Sequence, residues 1–148
     1  MKEKLIKENS KIHIYVIGDG PLKEKLQKQI IDFNVEEKFT LLGAKKNPYP
    51  YIKNADVFGL FSYFEGYGIV IDEAKMLQKY VIITDTAARE ALKDYKKYSY
   101  IVNNDEKGII EAFRYIENKG KQIGKTHIDY EYKNEEIINK ITEIIERK

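Results

Sequence analysis

The sequence predicts an α/β fold: a three-layer α/β/α domain on a parallel sheet of about five strands. Two observations carry this expectation. Five short apolar runs recur along the 148 residues with helical stretches between them, and strands alternating with helices imply βαβ units with right-handed crossovers. One run, Asp56-Val57-Phe58-Gly59-Leu60-Phe61, is almost continuously apolar, the pattern of a central parallel strand covered on both faces.

Residues 1–9 read as a short helix. Residues 12–17 form the first strand, closed by the turn Gly18-Asp19-Gly20-Pro21. Pro21 suits the first turn of a helix, and Leu22, Leu26 and Ile30 recur every four residues as its apolar stripe. Residues 38–42 form the second strand, ended by Gly43, and a loop with Pro48 and Pro50 leads to a short helical piece around 51–55. The third strand, 56–61, precedes a helix over about 67–77 and the fourth strand at 80–84. A short helix around 87–94 leads to the fifth strand, 99–102. Ile109, Ile110, Phe113 and Ile116 mark a helix after Asp105, and residues 118–130, with Gly120 and Gly124, read as a surface connection. The last helix carries Ile137, Ile138, Ile141, Ile144 and Ile145 on one stripe. Nothing in this order marks a repeat or a second domain, so residues 1–148 read as a single domain.

Composition excludes several functions. The 26 basic and 24 acidic residues nearly cancel, whereas a nucleic-acid binder shows a basic excess on one face. The chain has no Cys, and its two histidines, His13 and His127, are far apart, which argues against thiolate and His-based metal sites. No run reaches the length of a membrane span, while the lack of a clear basic amphipathic face leaves membrane contact undecided. The charged start of the chain lacks the apolar segment of a signal peptide.

Chemistry concentrates in Ser62-Tyr63-Phe64-Glu65-Gly66-Tyr67-Gly68-Ile69-Val70-Ile71-Asp72-Glu73-Ala74. Glu65 follows the third strand and Glu73 lies on the next helix, eight residues on. Ligands in parallel sheets sit beyond the carboxyl ends of the strands, which is where Glu65 and Gly66 fall. A helix N-terminus offers unpaired N–H groups and partial positive charge to a phosphate. A carboxylate accepts both hydroxyls of a vicinal diol. Phosphate plus diol describes a nucleotide sugar. Gly66 and Gly68 let a ligand approach the backbone closely. The plain alternative is a polar turn before a helix whose exposed face carries Asp72, Glu73 and Lys75. Asp72 competes with Glu73, because adjacent helix positions point about 100° apart and only one faces the crevice. Elsewhere, Gly18-Asp19-Gly20-Pro21 lacks a third phosphate-loop glycine and reads as a tight turn. Thr84-Asp85-Thr86 reads as a helix N-cap, Arg89 and Glu90 as a structural pair in preference to ligand-facing residues, and His13 as a packed or edge residue rather than a base. Tyr49, Tyr51, Tyr63 and Tyr67 cluster near the crevice.

Several motifs occur together in order. They are Gly18-Asp19-Gly20-Pro21, Leu41-Leu42-Gly43, the run from Pro48 to Phe58, Ser62 to Gly68, Glu73-Ala74 and Val81 to Asp85. Over roughly residues 10–116 the chain resembles the C-terminal, donor-binding half of a GT-B glycosyltransferase of the retaining family four type. The resemblance implies a Rossmann-like fold and a nucleoside-diphosphate sugar as donor substrate. Glu73 would then hold the ribose hydroxyls, and Glu65 would contact a donor-sugar hydroxyl as the catalytic-site carboxylate. The backbone of Gly66, Tyr67, Gly68 and Ile69 would face sugar and diphosphate, and Ala44 and Lys45 would border the base. Neither cofactor nor metal is expected, since such enzymes stabilise the leaving diphosphate with protein charges and dipoles. The implied partners are the nucleotide sugar and an acceptor domain, in cis or in trans, and no nucleic acid. The implied location is cytoplasmic, free or at the inner face of the membrane.

The chain departs from the family pattern in three ways. The family domain opens with a further, central strand followed by an Arg and a Lys that clamp the diphosphate, and this chain starts after that point. The acceptor domain is absent too, so the chain reads as a fragment, an isolated domain or half of a split enzyme, expected to transfer little alone. Tyr80 stands where the family has Pro. Five strands would close in the order 2-1-3-4-5 if the first pairs directly with the third. A second reading is a non-catalytic Rossmann-like module that binds a nucleotide or a protein, with the terminal isoleucine stripe as docking face. A receiver-like domain ranks last, for want of an acidic pair at Gly18-Asp19-Gly20.

Overall fold

The computed structural model describes residues 10–131 together with residues 135, 138, 139, 142 and 143. The expected helix at 1–9, and all of the terminal isoleucine stripe except Ile138, lie outside the described residues. Among the described residues, those up to Pro48 form one compact unit and those from Tyr49 onward form another.

In the first unit, β1 (Ile14–Ile17) pairs in parallel with β2 (Phe39–Gly43), with Ile14 opposite Phe39. The crossover is α1 (Lys23–Asp32), which buries Ile30. Because α1 starts only at Lys23, Leu22 stands outside the helical periodicity and is exposed rather than on the stripe. The turn after β1 is structural: Gly18 has φ +140° and its N–H donates to the Gly43 carbonyl at 3.0 Å. Asp19 Oδ1 accepts the Gly20 N–H at 3.0 Å and lies 3.5 Å from Lys23. His13 is an edge residue, its Nε2 2.8 Å from Thr40 Oγ1 and its ring against Tyr15.

The second unit holds a parallel sheet in the order β3 (Val57–Leu60), β4 (Tyr80–Thr84), β5 (Ser99–Val102). Its helices are α2 (Tyr49–Asn54), α3 (Ile69–Met76) and α4 (Glu106–Ile123), with 3₁₀ turns at Ala87–Leu92 and Lys96–Tyr98. All five residues of β4 are buried, and Val81, Ile82 and Ile83 pack with Ile71, Ala74, Leu92 and Ala112. Full burial of each such Val, Leu or Ile side chain contributes about 1.5–3 kcal/mol. Tyr80 ties β4 to α4, its hydroxyl 2.9 Å from that of Tyr115. Asp105 caps α4 by accepting the Gly108 N–H at 2.7 Å. Gly108 itself is obligatory, because a Cβ there would lie 2.0 Å from the Asn103 carbonyl oxygen.

Four expectations are corrected. The strand covered on both faces is β4, whereas β3 is only partly buried and Gly59 is exposed. The strands form two sheets, β1-β2 and β3-β4-β5, so the adjacencies within 2-1 and 3-4-5 are present, but no ladder joins β1 to β3 among the described residues. Both strands are partly buried, as edge strands are. The helix around 87–94 is a 3₁₀ turn. Finally, α4 continues through Gly120 to Ile123, because the core takes Ile123 and, beyond it, Ile128.

Candidate functional site

The turn after β3 is held from the ends of β4 and β5. Thr84, buried at the end of β4, accepts the Ser62 N–H at 3.0 Å through Oγ1, and its hydroxyl donates to the Ser62 carbonyl at 2.8 Å. Asn104, two residues beyond β5, donates through Nδ2 to the Tyr63 carbonyl at 2.9 Å. The Ser62 hydroxyl donates to the Phe64 carbonyl at 3.2 Å. Three strand ends thus fix the turn that carries Glu65 and Gly66.

Gly68 ends the turn in the left-handed region, φ +72°, which sets the start of α3 at Ile69 rather than at Tyr67. A Cβ at Gly68 would also lie 3.1 Å from both Ala88 Cβ and Ile71 Cδ1. No side chain caps α3, and Ile69 in its first turn is exposed. That N-terminus keeps the anion-attracting character of uncapped N–H groups.

The two glutamates differ in their surroundings. Glu73, half-buried on α3, accepts the Tyr49 hydroxyl at 2.9 Å through Oε1. Burial, then the hydrogen bond to Glu73 and its charge, push the Tyr49 phenol up to about 12. Glu65, also half-buried, has no hydrogen-bond or ion-pair partner among the described residues. One carboxylate is therefore oriented and the other is open to a ligand.

Asp72 faces the interior. It is buried beside Lys75 at 3.3 Å, and Lys75, only 3% exposed, reaches Asp94 and the Ala91 carbonyl, both at 2.8 Å. Tyr130 donates to the same Asp94. Burial pulls the Lys75 ammonium down, but the Asp94 and Tyr130 hydrogen bonds and the Asp72 charge raise it above its ordinary value overall. This corrects the picture of α3 with Asp72 and Lys75 on its exposed face: residues three apart share a side, and pairing makes that side tolerable in the core. Burial, then the neighbouring Asp72 charge, holds the Tyr67 phenol above its ordinary value.

A cleft of about 400 Å³ opens at this edge of the sheet, lined by Tyr63–Gly66, Asp85–Ala87 and Asn104. Arg89 Nη1 contacts both Asp85 oxygens, at 2.8 and 3.1 Å, while Glu90 pairs with Lys93. Arg89 and Glu90 are thus each structural but not paired with each other, since within this tight turn each finds its own partner three or four residues away. Thr86 holds the N-cap position of the 3₁₀ turn without a side-chain hydrogen bond. Of the residues expected at the site, Glu65 and Gly66 line the cleft, Gly68 and Ile69 form the start of α3, and Tyr67 lies between them. Ala44 and Lys45 follow β2 in the other unit and are exposed. Asn104 was missed, although its place just beyond an apolar strand is the signal that marks Glu65 and Asp85. Among the described residues no three His, Cys, Asp or Glu gather as a metal site, and no helix is long and apolar enough to cross a membrane.

Known proteins share this architecture. The family model of glycosyl transferases group 1 matches residues 2–145. The chain is 36% identical over 85 residues to the N-acetylgalactosamine-N,N'-diacetylbacillosaminyl-diphospho-undecaprenol 4-alpha-N-acetylgalactosaminyltransferase of Campylobacter jejuni, a match covering 56% of this chain and 23% of that protein. It is 40% identical over 81 residues to an uncharacterized glycosyltransferase of Methanocaldococcus jannaschii, covering 53% of this chain and 20% of that one. Against the poly(ribitol-phosphate) alpha-N-acetylglucosaminyltransferase of Staphylococcus aureus it is 25% identical over 104 residues, covering 69% and 21%. The crystal structure of TarM superposes with a TM-score of 0.69 at 20% identity, over 96% of this chain and 30% of that chain, which shows a shared fold. The matches span only about a fifth to a quarter of the curated relatives' length.

Proposed function

This chain belongs to the group 1 glycosyl transferases, and we propose that it forms the donor-binding part of a retaining GT-B glycosyltransferase that uses a nucleoside-diphosphate sugar. The observation that carries the reading is the disposition of the two carboxylates. Glu73 is held by Tyr49 behind the uncapped start of α3, and Glu65, on the turn before it, has no partner among the described residues.

On this reading Glu73 accepts the ribose hydroxyls. A carboxylate has about four lone-pair sites, so the Tyr49 bond to Oε1 orients the group without filling it. The diphosphate lies against the backbone from Gly66 to Ile69, where N–H groups and the helix dipole take up the charge that develops on the leaving group without a metal. Glu65 takes a hydroxyl of the donor sugar. The acceptor is a glycan or a lipid-linked saccharide, positioned by a second domain that also excludes water. The isolated chain accordingly binds donor but transfers little sugar.

The test is calorimetric titration of the 148-residue chain with UDP, GDP and ADP, beside Glu73→Ala. One nucleotide is expected to bind weakly, at about millimolar Kd or roughly 4 kcal/mol, and Glu73→Ala is expected to abolish it. If the folded chain binds none of the three, the donor reading fails and the alternative takes first place: a docking module using the exposed Tyr63, Phe64, Tyr67 and Ile69.

A further inference from the structure

The chain turns back after α4. From Gly124 to Tyr130 it forms neither helix nor strand, yet it is fastened to the unit that α4 belongs to. Ile128 is buried in the core, the Asp129 N–H donates to the Tyr98 hydroxyl at 3.2 Å, and the Tyr130 hydroxyl donates to Asp94. Burial and the Asp94 bond hold the Tyr130 phenol above its ordinary value, so it stays a neutral donor at neutral pH. The Tyr130 ring stands edge-on to Tyr95, centroids 4.7 Å apart, and the Lys75 ammonium lies 5.3 Å and 5.9 Å from the two ring centroids. Tyr130 and Tyr95 therefore shield that ammonium from water.

Lys75 is where several elements meet. From α3 it reaches the Ala91 carbonyl in the neighbouring 3₁₀ turn, Asp94 just beyond that turn, and Asp72 in the first turn of α3. Asp72 in turn accepts a hydrogen bond from the Tyr67 hydroxyl. A continuous series of polar contacts thus runs from Tyr130 through Asp94, Lys75 and Asp72 to Tyr67. It ends in the stretch Gly66–Ile69 that the donor reading gives to the diphosphate.

We propose that Gly124–Tyr130 is a strap that positions the anion-binding start of α3. Docked, Tyr130 keeps Asp94 on Lys75, Lys75 keeps Asp72 in place, and Asp72 fixes Tyr67 and the first helical turn. Tyr130, Asp94, Lys75 and Asp72 are positioning residues: they act through Tyr67 and the α3 backbone, not by touching the ligand. The inference rests on the donor reading for the identity of that ligand. A segment without ladder or helix bonds opens at lower cost than the core, so the strap can lift while β4 stays folded. Lifting it admits water around Lys75, and the higher local dielectric weakens the hold on Asp72. A nucleotide that prefers the docked form must then stabilise the strap by the same factor by which docking strengthens its binding.

The experiment is amide hydrogen exchange of the 148-residue chain, as wild type and as Tyr130→Phe, without nucleotide and with saturating UDP, GDP or ADP. Without nucleotide, Tyr130→Phe should speed the Asp129 amide and the Ile71 amide, whose N–H is bonded to the Gly68 carbonyl, by one common factor of about five or more. Both should still exchange well ahead of β4. In the wild type, the nucleotide that binds should slow the Asp129 amide by about fivefold or more. A strap that merely covers the core would not respond to a ligand at α3. Ile128→Asp puts an unpaired charge where the core takes Ile128, which should lift the strap and weaken that nucleotide by a similar factor. The proposal is overturned if Tyr130→Phe speeds Asp129 and leaves Ile71 unchanged, if bound nucleotide leaves Asp129 unchanged, or if a folded Ile128→Asp chain binds as the wild type does. Where Ile128→Asp does not fold, the exchange comparison decides. The donor reading fails separately, on nucleotides that do not bind or that ignore Glu73→Ala, and the nucleotide-free comparison then still decides whether strap and turn are coupled.

Discussion

Replacing Lys75 by Met removes a single buried cation and should destabilise the chain severely. The side chains of Lys75 and Asp72 are 3% and 2% exposed, whereas that of Asp94, the other carboxylate on the ammonium, is 58% exposed. Asp94 can turn to water when Lys75 is gone, but Asp72 cannot, and its Oδ1 already lacks a hydrogen-bond partner among the described residues. Stranding a buried charge in this way costs about 3–5 kcal/mol. For a chain of this size that corresponds to about 6–20 °C in Tm, at about 2–4 °C per kcal/mol. The double variant Asp72→Leu/Lys75→Met removes both charges and fills the space with apolar volume, so it should recover most of the loss and unfold at or above the wild-type midpoint. Urea unfolding followed by circular dichroism at pH 7 measures both. The reasoning is refuted if Lys75→Met costs less than about 1 kcal/mol, or if the double variant is less stable than the single one. Where Lys75→Met does not fold at all, folding of the double variant still decides.

Three further outcomes follow from the same geometry. Tyr49, pushed up to about 12, should be seen by ¹³Cζ-tyrosine NMR to titrate well above the ordinary phenol value, and Glu73→Gln should lower it only partway, because burial is the larger cause. Its sign is that of a raised group: the stability it contributes is complete below about pH 10 and is lost as pH rises towards about 12. Thr84→Val keeps the shape of the side chain but leaves the Ser62 N–H and carbonyl without their partner, at a cost of about 1–3 kcal/mol, with faster hydrogen exchange at the Ser62 amide as the local readout. Gln78 holds φ +53°, so Gln78→Gly should raise stability by about 0.5–1 kcal/mol, the left-handed penalty less the entropy of glycine, and a lower urea midpoint would contradict this.

Much of the fold was legible because strand and helix periodicities are local. All five strands lie where apolar runs end in Gly, Pro or polar turns, and α3 follows the turn that carries Glu65. Burial was less legible, because it depends on the order of strands in the sheet. The runs at 56–61 and 80–84 look alike as sequence, and only pairing on both sides makes β4 the buried one. The extent of α4 was missed for a related reason. Gly120 weakens a helix locally, but Ile116 and Ile123 lie seven apart on one side, and packing against the sheet carries the helix past the glycine.

At the site, geometry on paper established that only one of Asp72 and Glu73 could face the crevice, and it had no means of choosing between them. The choice lies three residues further on. A helix rotation that turned Asp72 outward would turn Lys75 outward with it, since the two share a side, and would bring Glu73 about 100° round, away from Tyr49. The observed rotation gives each of the three a partner of complementary character: Asp72 is ion-paired with Lys75, Lys75 also reaches Asp94 and Ala91, and Glu73 accepts from Tyr49. A charged residue in an apolar helix reads as surface because charges are almost never fully buried unless paired, and the pair here is visible in sequence only as an Asp and a Lys spaced i, i+3 among Ile71, Ala74 and Met76. The buried pair therefore aims the half-buried Glu73 carboxylate, and an apolar residue at 72 with Lys75 left in place would strand the ammonium instead, partly offset by Asp94. That asymmetry predicts that Asp72→Leu alone is milder than Lys75→Met alone, because the lysine keeps one acid and the aspartate keeps no base.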